Sequence, residues 1–268
     1  MGTTILVSNQ KGGVGKTTIS SNLAMALADR GYQVGVIDSD PQGHISYVLG
    51  ILNQRGEPYE GIFNLLVNSR VMNVDLGDVV IPIERGKGRI ELLPGGPYTA
   101  LAGIQMQMQN VPFSYMGELV APMIERCDYI LVDTSPAVSM LTPSLLAMAN
   151  YVLIPTDMAS LDINGVNAVV KTMAQFAGNH DADLVGILPT KTQPNTNEYR
   201  EQLDRLKQTY PGYVWDDFQL TYSTYWKEAT DVAKPILDYA PASHKSHREM
   251  VALVDHFIEM TQGVAHVG

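Results

Sequence analysis

Between residues 8 and 18 the chain reads Ser8-Asn9-Gln10-Lys11-Gly12-Gly13-Val14-Gly15-Lys16-Thr17-Thr18, with three glycines set among two lysines and two adjacent threonines. Glycine has no Cβ, so backbone N–H groups can crowd around an anion, and a helix starting there adds its partial positive charge. A lysine directly after the last glycine can reach the outer phosphates of a nucleotide, and the hydroxyl beside it can ligate Mg²⁺. Gly12, Gly13, Val14, Gly15, Lys16, Thr17 and Thr18 are therefore expected to hold a triphosphate, with Thr17 as a metal ligand. The strict phosphate-loop pattern needs glycine at position 10, where this chain has Gln10. Two further segments place carboxylates after apolar runs: Val36-Ile37-Asp38-Ser39-Asp40-Pro41-Gln42-Gly43 and Tyr129-Ile130-Leu131-Val132-Asp133-Thr134-Ser135-Pro136. A carboxylate can accept a proton, hold a water in line with a phosphoryl group, or bind Mg²⁺.

The elements that must carry these residues are legible from hydrophobic patterning. Ile5–Val7, Val34–Ile37, Tyr129–Val132, Tyr151–Ile154 and Leu184–Leu188 are continuous apolar runs, as expected of strands buried on both faces of a parallel sheet. Residues 17–30, with Ile19, Leu23 and Leu27 four apart and Gly31 beyond, predict the helix of a βαβ unit. Further helices are expected over 98–109, 114–126, 161–177, 197–210 and 246–260. Residues 53–97 look like an irregular excursion from the sheet. No repeat or linker-like tract interrupts the chain, so one domain over residues 1–268 is the expectation. The expected fold class is α/β, a mostly parallel twisted sheet with helices on both faces.

Lys11-Gly12-Gly13-Val14-Gly15-Lys16-Thr17-Thr18 resembles the deviant Walker A motif of the ParA/MinD/Soj family of partition and positioning ATPases. The resemblance is good over residues 1–178, including Tyr151–Pro155 and the helix after it, and thins beyond. It implies ATP and Mg²⁺ as cofactors and a homodimer closed by ATP, in which Lys11 contacts the nucleotide of the other subunit. It gives Asp38 a place near the magnesium shell, Asp40 the task of orienting the attacking water, and Asp133 the role of a Walker B acid acting on Mg²⁺. Lys11, Lys16 and Asp40 are thus the expected catalytic residues. The family more often has two prolines after that last acid, where this chain has Ser135-Pro136. Its adenine contacts come from loops after the later strands, here 188–195 and 222–229, from which Pro189 and Lys227 are chosen. Tyr222, Tyr225 and Trp226 either stack on the base or pack against protein.

Composition narrows the class. The chain of 268 residues carries a net charge of −10, which opposes long-range attraction to nucleic acid or an anionic membrane, yet residues 191–248 are electrically balanced. Lys191, Arg200, Arg205, Lys227, Lys245 and Arg248 are accordingly the candidate contacts for non-specific DNA, which the family resemblance implies along with a ParB-like or adaptor activating protein. A lone cysteine, Cys127, reads as a buried apolar side chain in a reducing compartment and cannot share an iron–sulfur cluster as a nitrogenase-iron-protein-like reductase would. With no signal peptide and no membrane span, a cytoplasmic protein, nucleoid-associated when ATP-bound, is expected. Nor is a helix-turn-helix extension expected ahead of residue 1. Met250, Leu253, Val254, Phe257 and Ile258 form a core-facing stripe on the last helix, and the end of the chain lacks the basic amphipathic pattern of a membrane-cycling, MinD-like relative. A metabolic ligase on the same core stays open. His244 and His247, the methionines Met106, Met108, Met116, Met123, Met140, Met148 and Met158, and the serines Ser135 and Ser139 are assigned no chemistry.

Overall fold

The computed structural model describes residues 2–57, 59–136, 141–158 and 163–263. Met140, Ser139, the first two residues of the helix expected over 161–177 and the last five residues of the chain lie outside them. Along the chain run β1 (Thr3–Val7), α1 (Lys16–Asp29), β2 (Gln33–Asp38), α2 (His44–Val48), α3 (Gly61–Phe63), a π-turn over Asn64–Asn68, α4 (Ser69–Met72), α5 (Leu76–Val79), β3 (Ile81–Arg85) and β4 (Gly88–Leu93). There follow α6 (Thr99–Met108), α7 (Tyr115–Arg126), β5 (Tyr129–Asp133), α8 (Thr142–Met148), β6 (Tyr151–Asp157), α9 (Ile163–Gln175) and β7 (Asp183–Thr190). The chain continues through α10 (Asn197–Thr209), α11 (Thr224–Asp231), α12 (Ile236–Tyr239) and α13 (Lys245–Gly263).

The seven strands form one sheet in the order β3-β4-β2-β5-β1-β6-β7, parallel throughout except for β3. All five expected strands are present, and the fold class is the one the apolar runs predict. The excursion expected over 53–97 is corrected: it contributes two strands, β4 beside β2 and β3 antiparallel to β4, besides short helices. The edge strand β3 alternates Ile81, Pro82, Ile83, Glu84, half-covered rather than fully buried, and Gly86 at φ 56° makes the tight return to β4. Arg85 then pins this edge by pairing with Asp29 of α1 and Asp238 of α12, each at 2.7 Å.

Alternate residues of each strand feed two cores. Ile5, Val34, Val36, Leu131 and Leu153 pack with α1 and with Met250, Leu253, Val254 and Phe257 of α13, all fully buried on the helix stripe the sequence predicts. Leu6, Ile37, Val132 and Ile154 face the opposite side, against α7, α8 and α9. Cys127 is buried in this second core, where desolvation pushes its thiol up to about 12.

Parallel strands align their C-terminal ends on one edge, and the register is tight: Val7 and Asp38 both pair with Asp133 across neighbouring strands. The loops after β1, β2 and β5 therefore open onto a common crevice. At the far side, Gly186 of β7 sits beneath Trp215, and a Cβ built there would stand 2.2 Å from the indole. Replacing Gly186 with alanine should destabilise the fold by about 1–3 kcal/mol through overpacking, read as a lower urea midpoint with unchanged slope.

Candidate nucleotide site

The loop between β1 and α1 turns on Gly13 (φ 74°) and Gly15 (φ 96°), conformations that favour glycine, and Gly15 stands at the N-cap of α1 without a side-chain cap. The first N–H groups of α1 thus face the crevice, and Gly12, Gly13 and Gly15 leave it open. Lys16 is 94% buried within the loop, its Nζ donating to the Lys11 carbonyl oxygen at 3.2 Å. Burial lowers its pKa, and the nearby Asp133 and Asp40 carboxylates oppose the shift.

Asp133 ends β5 fully buried. Its Oδ2 accepts from Thr17 Oγ1 at 2.7 Å and its Oδ1 from Ser20 Oγ at 3.2 Å. The hydroxyl and carboxylate expected to share a magnesium ion are already in contact, a donor set of hard oxygens that fits the ion. Desolvation raises the Asp133 pKa to about 6. Asp38, equally buried, is raised first by desolvation and then by the Asp133 charge, while its two oxygens accept N–H bonds from Asp40 (3.1 Å) and Ile45 (3.2 Å). Asp38 therefore shapes the loop that carries Asp40 as well as facing Asp133. Asp40 is 6% exposed, accepts from Gln42 N at 2.9 Å, and lines the crevice with Lys16 and Thr17. His44 Nδ1 lies 3.6 Å from its other oxygen.

A family model described as an AAA domain matches residues 2–185. The chromosome-partitioning ATPase Soj of Thermus thermophilus is 31% identical over 245 residues, covering 91% of this chain and 90% of Soj. The chain belongs to the ParA/MinD/Soj family of ATPases. Among solved structures, the ATP complex of a McdA variant from Cyanothece aligns with a TM-score of 0.78 at 18% identity over 95% of each chain. Cobyrinic acid a,c-diamide synthase from Mycobacterium smegmatis with ADP and magnesium aligns at 0.77 and 22% identity, over 98% of this chain and 97% of that one. At those identities the two structures share the fold with this chain.

Beyond the loop a cleft of about 650 Å³ opens, lined by Gly13, Gly15, Thr190, Lys191, Tyr222 and Trp226 among others. Of the two sequence choices, Lys227 lines this cleft, whereas Pro189 is buried within β7, its carbonyl taken by Leu220 N at 2.9 Å; the next two residues, Thr190 and Lys191, reach the cleft instead. Tyr222 (63% exposed) and Trp226 line it, while Tyr225 turns away to stack on His244.

The six basic candidates fall into three places. Lys191, bound to Asp157 at 3.0 Å, and Lys227 belong to the cleft. Arg200 and Arg205 are exposed on α10, and Lys245 and Arg248 on the first turn of α13, where Lys245 lies 3.6 Å from Glu249 and Arg248 donates to the Ser243 carbonyl. The strip 216–221 joins those two helices: Lys207 of α10 pairs with Asp216, Tyr199 donates to Gln219, and Thr221 donates to Glu249 of α13.

Sequence reasoning missed Ser20, one turn along α1 from Thr17, and Thr190, whose Oγ1 lies 2.9 Å from the Val14 carbonyl. The i to i+3 spacing on a helix starting at the loop was the available signal for Ser20. Because Asp133 is raised to about 6, the folded chain binds a proton between pH ~4 and 6 that the unfolded chain does not, and Asp38 is raised in the same direction. Nucleotide-free protein should therefore lose this share of its stability as pH rises through about 6 and regain it toward pH ~4. Asp133→Asn should raise the urea midpoint at neutral pH, with the gain shrinking as the medium is acidified.

Proposed function

We propose that this chain, as a single ATPase domain over residues 1–268, is a ParA-like switch for DNA segregation or cargo positioning, in which ATP closes a homodimer on non-specific DNA and a partner triggers hydrolysis. The observation that carries the reading is the pair of lysines in one phosphate loop, with Lys16 drawn into the loop and Lys11 displaced five residues earlier. Two cations on one short loop repel, and serving two triphosphates in different subunits gives each its own anion.

In this reading the N–H groups of Gly13–Thr18 and Lys16 bind the β- and γ-phosphates, and Thr17 and Asp133 hold Mg²⁺, with Asp38 behind them. The metal supplies neutralisation of charge on the transferring phosphoryl group. Asp40 orients the attacking water, and Lys11 of the partner subunit stabilises the charge that develops as the bond breaks. The base lies against Trp226 and Tyr222, with Lys227 at its rim. Turnover is slow until a ParB-like or adaptor protein completes the site, so ATP acts as a timer.

DNA rather than lipid is the platform. The apolar stripe of α13 is spent in the core, at Met250, Leu253, Val254 and Phe257, and no helix among the described residues is long and apolar enough to cross a membrane. Arg200, Arg205, Lys245 and Arg248 supply the phosphate contacts, and Lys191 and Lys227 are given to the nucleotide. The protein is cytoplasmic and nucleoid-associated when ATP-bound.

Sizing and DNA retention measured with ATP, with ADP and without nucleotide test the reading together. Mass should double and DNA be retained with ATP only. Lys11→Ala should abolish both and lower stimulated hydrolysis by about 100-fold. Reversing Arg200, Arg205 and Arg248 to glutamate should weaken retention without preventing pairing, and should flatten its log–log salt dependence by about 0.9 for each DNA phosphate that no longer meets a cation. Turnover that instead requires a small acid or amine, without DNA, points to a ligase and overturns the switch.

A further inference from the structure

Gln10, the residue that breaks the strict phosphate-loop pattern, also ties the loop to a helix. Its Nε2 lies 3.3 Å from the Ala168 carbonyl oxygen and 3.1 Å from Thr172 Oγ1, both on α9. Thr172 Oγ1 donates its own proton to the Ala168 carbonyl at 2.9 Å, so toward Gln10 it can only accept. The amide NH₂ of Gln10 therefore faces α9.

Asn9, one residue earlier and 1% exposed, makes complementary bonds: Nδ2 donates to the Pro155 carbonyl of β6 at 2.8 Å, and Oδ1 accepts the Lys11 N–H at 2.8 Å. Gly165, in the first turn of α9, closes against both neighbours of Gln10. A Cβ there would stand 2.6 Å from Asn9 Oδ1 and 3.5 Å from Lys11 Cβ. Residues 9–11 are thus held along two turns of α9, and the stem of Lys11 leaves the loop beside the first of them. Gln10 also lines a small pocket of about 30 Å³ with Ser39, Thr134 and Ser135, which follow Asp38 and Asp133 in the chain. A glycine at position 10 would provide none of these side-chain contacts.

We propose that Gln10 is a positioning residue for Lys11: its amide latches the phosphate loop to α9, and that latch presents Lys11 to the partner subunit's nucleotide. The inference rests on the sandwich-dimer reading above. Gln10 need not touch nucleotide; it fixes the path of the chain just before the lysine that does. Losing the latch should weaken pairing far more than nucleotide binding by one subunit.

The test compares the full-length parent, Gln10→Leu, Thr172→Val, the double variant and Lys11→Ala, measuring ATP-dependent pairing by sedimentation and ADP affinity of the monomer with a fluorescent analogue. Gln10→Leu keeps the bulk and removes the amide. Its pairing Kd should rise about tenfold, equivalent to about 1.4 kcal/mol, with ADP affinity within about twofold of the parent. Thr172→Val should give a smaller loss in the same direction, and the double variant should be no worse than Gln10→Leu, because both remove one shared hydrogen bond. Parent-like pairing by Gln10→Leu while Lys11→Ala fails to pair would overturn the latch alone. ADP affinity falling in step with pairing would do so as well, since that marks a general loop-building role, and so would fully additive losses. Parent-like pairing by Lys11→Ala would instead remove the sandwich reading, and the latch with it.

Discussion

Two carboxylates meet at the C-terminal edge of the sheet with no solvent to screen them. Asp38 and Asp133 are each fully buried and face one another in strand register, an arrangement that costs free energy both by desolvation and by like-charge repulsion. The protein answers with hydrogen bonds from Thr17, Ser20, Asp40 N and Ile45 N and with one buried ammonium, Lys16, whose own pKa is lowered by the same burial. The three charges form an excess of acid that the fold leaves partly uncompensated. A divalent cation is the simplest species that relieves it, which makes ligand binding and local stability two views of one electrostatic fact.

That constraint explains the surrounding geometry. A parallel sheet is the arrangement that brings the ends of β1, β2 and β5 to one edge, and its two buried faces supply the low dielectric that raises the pKa of the acids and strengthens their repulsion. The phosphate loop lies over this edge, so that Lys16 approaches the acids from the loop side while the N-terminus of α1 offers N–H groups in the same direction. The loop has little freedom of its own. Asn9 binds β6, Gln10 binds α9, and Thr190 of β7 contacts the Val14 carbonyl, so three elements fix one short glycine-rich segment.

Much of this was readable from residue order. The five expected strands are continuous apolar runs, and the loop, Asp38, Asp40 and Asp133 come at the ends of three of them, so element type and chemical residue point to one another. The edge strand β3 escaped because it is half-covered, alternates in polarity and contains Pro82, a combination that resembles a loop, and β4 escaped because Gly88, Arg89 and Glu91 interrupt its apolar run. The cleft beyond the loop was legible only in part. Lys227 and Trp226 lie on α11, close in sequence to the aromatic cluster, but the contribution of Thr190 and Lys191 in place of Pro189 depends on where β7 ends, which hydrophobicity alone leaves open by a residue or two.

The side chain of Gln10 shows the limit more sharply. Its sequence signal was negative, the absence of a glycine, and its partners Ala168 and Thr172 lie 158 and 162 residues away. No local pattern encodes such a contact. The same holds for the basic candidates: a segment balanced in charge over 191–248 was visible, but its division between the cleft beyond the loop and the flanks of strip 216–221 came from the packing of α10 and α13 around that strip. Acidic Asp216, Asp217 and Glu249 sit among these cations, so any attraction to a polyanion here is short-ranged and confined to Arg200, Arg205, Lys245 and Arg248 at close approach. On the proposed reading such a surface would hold DNA only when several copies of it act together, which is what joining two subunits through their nucleotides would provide.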